Sequence, residues 1–119
     1  MSATQPGSKT PIVTLGEAVA LVIDAIALAE KGLERNPSRE EERELNQTLI
    51  DLEERRAEIQ AKLDALVDGT QQLAGPTRAQ VAQISSLTGQ VEAETNASET
   101  ASGAVTLSAR VLALATEIA

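Results

Sequence analysis

The sequence predicts an all-α protein: an antiparallel helical hairpin over about residues 15–35 and 39–68, completed by C-terminal helices into a three- or four-helix bundle with coiled-coil-like packing. Three observations carry that prediction. Aromatic residues make up 0% of the chain, and cysteine and histidine are absent. Aromatics dominate ordinary cores, so this core must be built from Leu, Ile, Val and Ala, which pack well between close helices and favour a thin, elongated body. Apolar residues recur at alternating three- and four-residue spacing along most of the chain. The strongest breakers, Asn36-Pro37 and Gly69, fall between those periodic runs.

The first segment, MSATQPGSKTPIVT, is polar and carries Pro6, Gly7 and Pro11. Residues 1–14 therefore read as a disordered or extended arm, with residues 15–119 as a single helical domain. A Ser/Thr/Pro-rich, nearly uncharged start also suits substrates of specialised bacterial secretion machines. The first helix is expected over about residues 15–35. Leu15, Val19, Val22, Ile26, Ala29 and Leu33 share one face, and Ala18, Leu21, Ala25, Leu28 and Gly32 form a second row beside it. Two adjacent seams make a wide apolar face that must meet at least two partners. This helix belongs at the centre of the bundle.

Asn36-Pro37-Ser38 ends it, because a residue before proline is disfavoured from the α region. Ser38 with Glu41 is a capping-box pattern, so a second helix starts at once and must run antiparallel. Its seam is Leu45, Leu49, Leu52, Ile59, Leu63 and Leu66, with Arg56 at the one position that interrupts it. Glu40, Glu41 and Glu42 suit the positive end of the helix dipole, and Gly69 is the expected stop. The second helix outruns the first, so part of it must find a partner in the C-terminal region.

Residues 70–75 read as a loop, and Pro76 is placed for the first turn of a third helix. Val81, Ile84, Thr88 and Val91 continue a thinner seam, flanked by Leu87. A stronger one returns with Leu107, Val111, Leu114 and Ile118, flanked by Val105 and Leu112. Extending the first seam by heptads misses the second, so the apolar stripe changes phase. Between them, residues 95–103 are rich in Thr, Asn, Ser and Gly, which disfavour a helix interior by several kcal/mol in sum, at about 0.5–1 kcal/mol each. Together these predict a helix break at 96–102 and a last helix over about residues 103–118. The Ser/Thr-rich C-terminal half is similar in composition to bacterial signalling coiled coils, and no motif in it marks a family.

The formal charge is -8 with a pI near 4.5, which opposes nucleic acid and anionic lipid as main ligands. The basic residues Lys31, Arg35, Arg39, Arg43, Arg55, Arg56 and Lys62 are interleaved with glutamates and form no basic stripe. Without cysteine there is no disulfide framework. The apolar run 16–29 carries Glu17 and Asp24 and is shorter than the ~20 residues a bilayer needs. Lys9 is the sole basic residue before it, which is no signal-peptide pattern. The expected location is cytoplasmic by default.

Histidine and cysteine supply most nucleophiles, general bases and soft-metal ligands, and there is no Gly-rich phosphate loop. Glu40, Glu41, Glu42 and Glu44 are the densest acids, yet they point in different directions around one turn. The expectation is no catalytic, cofactor-binding or metal-binding residue, and no enzyme. Arg56 is a candidate register-setting polar residue that could pair with an acid such as Asp24; the alternative is that it snorkels to water. The stripe of Leu107, Val111, Leu112, Leu114 and Ile118 is a candidate interaction surface if the break holds the last helix away from the bundle, and otherwise closes the core. The expected activity is protein–protein interaction through helix–helix contacts, as a scaffold, adaptor, chaperone-like or immunity-type partner, with self-association as one form of it. The alternative is a peripheral lipid- or granule-surface protein, phasin-like, using the first helix.

Overall fold

A computed structural model describes residues 10–69, 75–97 and 101–119. They form four helices, α1 (Pro11–Leu33), α2 (Arg39–Asp68), α3 (Arg78–Asn96) and α4 (Ala101–Ile118), with no strand among the described residues. The expected four-helix reading and the break before α4 are both present. Residues 1–9 of the expected arm lie outside the described residues. Of the rest of the arm, Thr10 is extended as the helix N-cap and residues 11–14 are helical: α1 starts at Pro11, four residues earlier than expected. Thr10 is its N-cap, the hydroxyl accepting from Val13 N–H at 3.3 Å, and Pro11 occupies the first turn, where its missing N–H costs nothing.

The α1–α2 turn follows local chemistry. Asn36 takes a left-handed φ of 52°, which Asn tolerates better than most residues. Ser38 and Glu41 then make both hydrogen bonds of a capping box. At the far end of α2, Gly69 sits at φ 71° and donates to Ala65 and Leu66 carbonyls. Helix α3 opens two residues later than Pro76 suggests: Pro76 precedes the N-cap, and Thr77 with Gln80 forms a second capping box.

Each of α1 and α4 packs against all three other helices, whereas α2 and α3 do not meet. The cross-section is thus a rhombus whose short diagonal is the antiparallel α1–α4 pair. Small residues make that diagonal short: a Cβ added to Gly32 would lie 2.6 Å from Ala104 Cβ and 3.2 Å from a Leu45 methyl. From α1 come Ala18, Ala25 and Ala29, and from α4 Ala101, Ala104, Ser108 and Ala115, all buried. The Ser108 hydroxyl reaches zero exposure because it donates to the Ala104 carbonyl at 2.6 Å. On α2 the fully buried positions are Leu45, Leu52 and Ile59, seven apart, and the excess length of α2 lies on α4, where Lys62 Nζ donates to the Ile118 carbonyl at 2.7 Å. The result is a slab of 55 × 27 × 17 Å.

Helix α3 is tied to α1 at both ends. Near its start, Gly75 lies so close to Pro11 that a Cβ would approach its Cα to 2.8 Å. At its end, the last turn of α3 holds no basic residue, so its orphan carbonyls are met by cations from α1's C-terminal end. Lys31 Nζ donates to Thr95 O at 2.6 Å. Arg35 donates to Glu94 O at 2.9 Å, to Ala97 O at 2.7 Å and to the Glu94 carboxylate at 3.0 Å. Ala97 is extended at φ -80°, ψ 144°, and the chain re-enters a helix at Ala101. Cations at a helix C-terminus are favourable by the dipole as well.

Candidate interaction surface

Two sequence-based expectations change once the helices are placed. The stripe of Leu107, Val111, Leu114 and Ile118 is buried, with Leu112 half-buried beside it. It closes the core of its own chain, the other of the two outcomes the sequence allows. The break does not hold α4 away: α4 packs against α1, α2 and α3. Arg56 is exposed and so is Asp24, so the register-setting pair does not form. A seven-residue repeat advances 3.5 residues per turn, and the line from Leu52 to Ile59 passes between positions 55 and 56. Arg55 takes the inner side, its guanidinium 3.1 Å from Glu58, while Arg56 turns to water. Of the α2 acids, Glu41 serves the capping box while Glu40, Glu42 and Glu44 are exposed. Among the described residues no group of three or more acids converges as a metal site would.

The surface that sequence reasoning passed over is the back of α1. Ile12, Val13 and Ile23 are 44%, 48% and 47% exposed, with Gly16 and Ala20 between them and Ala27 one turn beyond. Positions 12, 16, 20, 23 and 27 follow four-, four-, three- and four-residue steps, which is one helix face. Wide as the two buried seams are, a third side of α1 is also apolar. The signal was available: mean hydropathy reaches 2.1 over an 18-residue window of α1, more than two seams require. That helix, at 23 residues, and α4 are each long and apolar enough to match a membrane span by length and composition. The length argument made on residues 16–29 alone therefore does not hold. What sets the two apart from a simple span is that about half of each window is buried against neighbouring helices. Elsewhere, exposed Ile50 and Val67 stand singly on α2, which is ordinary for a protein surface.

Beside the strip, α1 and α3 run parallel and leave an open groove between them. One part, about 230 Å³, has Leu21 and Ile84 at its floor and Glu17, Asp24, Ser85 and Thr88 along it. The next, about 180 Å³, shares Asp24 and adds Ala27, Val91, Glu92 and Thr95. Thr88 and Thr95 donate to Ile84 and Val91 carbonyls at 2.7 Å, which satisfies their hydroxyls within α3. Over residues 11–30 α1 holds no Lys or Arg, and over residues 79–96 α3 holds none either. The cations nearest the groove, Lys31 and Arg35, stand at its end on Thr95 and Glu94.

The chain matches no family model, and no curated protein and no solved structure is significantly similar to it.

Proposed function

We propose that this is a non-enzymatic helical protein acting through protein–protein contact, with the back of α1 as its docking surface. The observation that carries the reading is the strip of Ile12, Val13, Gly16, Ala20, Ile23 and Ala27, a contiguous apolar helix face that none of the chain's own described helices covers. Such faces are a common element of helix-on-helix recognition, and scaffold, adaptor, chaperone-like and immunity-type proteins all work by contacts of this kind. Self-association through α4 is no longer part of the reading, since that stripe lies in the core.

A lipid- or granule-surface role is the second reading, and the same strip favours it. Against it stand Glu17 and Asp24 beside the strip and the absence of Lys or Arg from residues 11–30, where surface-seeking helices carry cations and aromatics. A photo-crosslinking side chain at Ile23 or Ala27, compared with one at Ile50, tests the proposal. The expected result is cross-linking from Ile23 and Ala27, and not from Ile50, to one protein that then binds saturably in purified form. Flotation of the chain with neutral vesicles, with no such protein, would replace this reading by the lipid one.

A further inference from the structure

We infer that the outer face of α2 pairs with the same face of a second copy of this chain, the two helices lying antiparallel about a twofold axis between Glu53 and Glu54. Arg39 and Arg43 of each copy then meet Asp68 and Asp64 of the other, with Ile50 on Ala57 in the middle. This contact is separate from the docking strip on α1, so either can fail without the other.

The face is open and its row of side chains is symmetric. Helix α2 packs on α1 and α4 alone among the described helices, and buries Leu45, Leu52 and Ile59 in doing so. On the opposite side Arg43, Ile50, Ala57 and Asp64 stand seven apart, with Arg39 and Asp68 about one turn beyond at either end, and all six are exposed. A seven-residue spacing keeps them on one side of the helix. Turned end for end about the point between 53 and 54, the row lays each Arg on an Asp and Ile50 on Ala57. Ile50, 55% exposed, would be ordinary by itself, but it stands inside a row whose charge changes sign from end to end.

Those signs also run against the helix that carries them. A helix favours acids at its N-terminus and cations at its C-terminus, and Glu40, Glu41 and Glu42 in the first turn of α2 follow that rule. On the outer face the order is inverted: Arg39 and Arg43 stand at the start, Asp64 and Asp68 at the end, and the last turn holds no basic residue. None of these four has an ion pair among the described residues, although Asp64 accepts from Gln60 Nε2 at 3.0 Å. An antiparallel copy brings cations to each C-terminal end and acids to each Arg. A parallel copy would set Arg on Arg and Asp on Asp. Such a self-complementary contact closes as a dimer and does not propagate. Glu53 and Glu54, both exposed, meet their own copies at the twofold, with Glu54 partly offset by Arg55 at 3.8 Å. That repulsion and the small apolar centre put the dimer in the weak, reversible class.

Sedimentation equilibrium of the full chain tests the pairing. The expected result is a monomer–dimer equilibrium below about 1 mM that added salt weakens. Asp64→Arg with Asp68→Arg should weaken self-association about tenfold or more, and Arg39→Asp with Arg43→Asp should do the same. Mixed together, those two variants should associate with each other. Glu53→Gln with Glu54→Gln should tighten the dimer about threefold or more, since this register alone brings those acids together. A photo-crosslinking side chain at Ile50 should join two copies into a product of twice the chain's mass, which tells it from a partner captured at Ile23. The linked peptide should carry Ala57. Circular dichroism checks that each variant folds. A strict monomer at that concentration, failure of the mixed variants to associate, or a link from position 50 to position 50 overturns the pairing. Association lost in Ile23→Lys and untouched by Asp64→Arg with Asp68→Arg would place the dimer on the α1 strip and overturn it too.

Discussion

Arg35 leaves α1 just past its C-cap and ends on a carboxylate and two carbonyls at the far end of α3. Its side chain is 9% exposed and that of Glu94 19%, so water screens the pair weakly. Removing the guanidinium leaves the Glu94 carboxylate and two carbonyls short of donors. Arg35→Ala should therefore cost about 2–4 kcal/mol, and Glu94→Ala distinctly less, because Arg35 keeps its two carbonyls. Urea unfolding followed by circular dichroism checks the order. Arg35→Lys should recover only part of the loss, since an ammonium lacks the planar fork that spans three acceptors. Gly69 offers a cleaner backbone test: nothing lies within 4 Å of an added Cβ, but φ is 71°, so Gly69→Ala should cost about 1–2 kcal/mol through the left-handed conformation alone. Gly32→Ala tests the opposite case, normal backbone and no room. Helix propensity would favour Ala by about 1 kcal/mol, yet the 2.6 Å approach to Ala104 forces α1 and α4 apart, and net destabilisation is the expected sign.

Among the elements, α2 is the one whose ends were legible to the residue, because both signals are local: Ser38 with Glu41 at one end, Gly69 at the other. Ser38→Ala should cost about 1 kcal/mol, measurable in the same unfolding series, and Leu52→Ala about 2–5 kcal/mol, since that side chain is fully buried. The start of α1 was equally local, in Thr10-Pro11, but the polar composition of the preceding residues masked it. The break before α4 could be read from small polar residues and from the change of phase. Where α4 goes afterwards could not be read, because contacts far apart in sequence place it, Gly32 on Ala104 and Lys62 on the Ile118 carbonyl among them. The Ala101, Ala104, Ser108 and Ala115 row was likewise hidden, since Ala and Ser carry no strong burial signal until a second helix of small residues faces them. As for the candidate surface, periodicity marked the two seams of α1 that are buried, while the third, exposed side was visible only as surplus hydropathy.

At the scale of the whole molecule, the rhombus makes the helices unequal. Neither α2 nor α3 can stabilise the other, so each depends on the α1–α4 diagonal. Ending the chain at residue 100 removes a helix that packs on all three others and uncovers Ala18 and Val22, which lie with Val111 and Leu114, and Gly32, which lies on Ala104. The expected outcome is loss of cooperative unfolding in a urea titration, with residual helicity that melts gradually. Ending the chain instead at residue 116 removes Ile118 and the carbonyl that Lys62 holds, and should lower stability while preserving a single transition.

Chain order gives the diagonal a temporal consequence. The helix that closes the core is made last of the four, its last residue 85 residues after Leu33 (118 − 33). At about 5–20 residues per second, α1 waits roughly 4–17 s before α4 is complete and can cover it. During that interval its two apolar seams have only α2 and then α3 for shelter. A nascent chain in that condition is a natural client for ribosome-associated chaperones, and its yield should fall in cells that lack them.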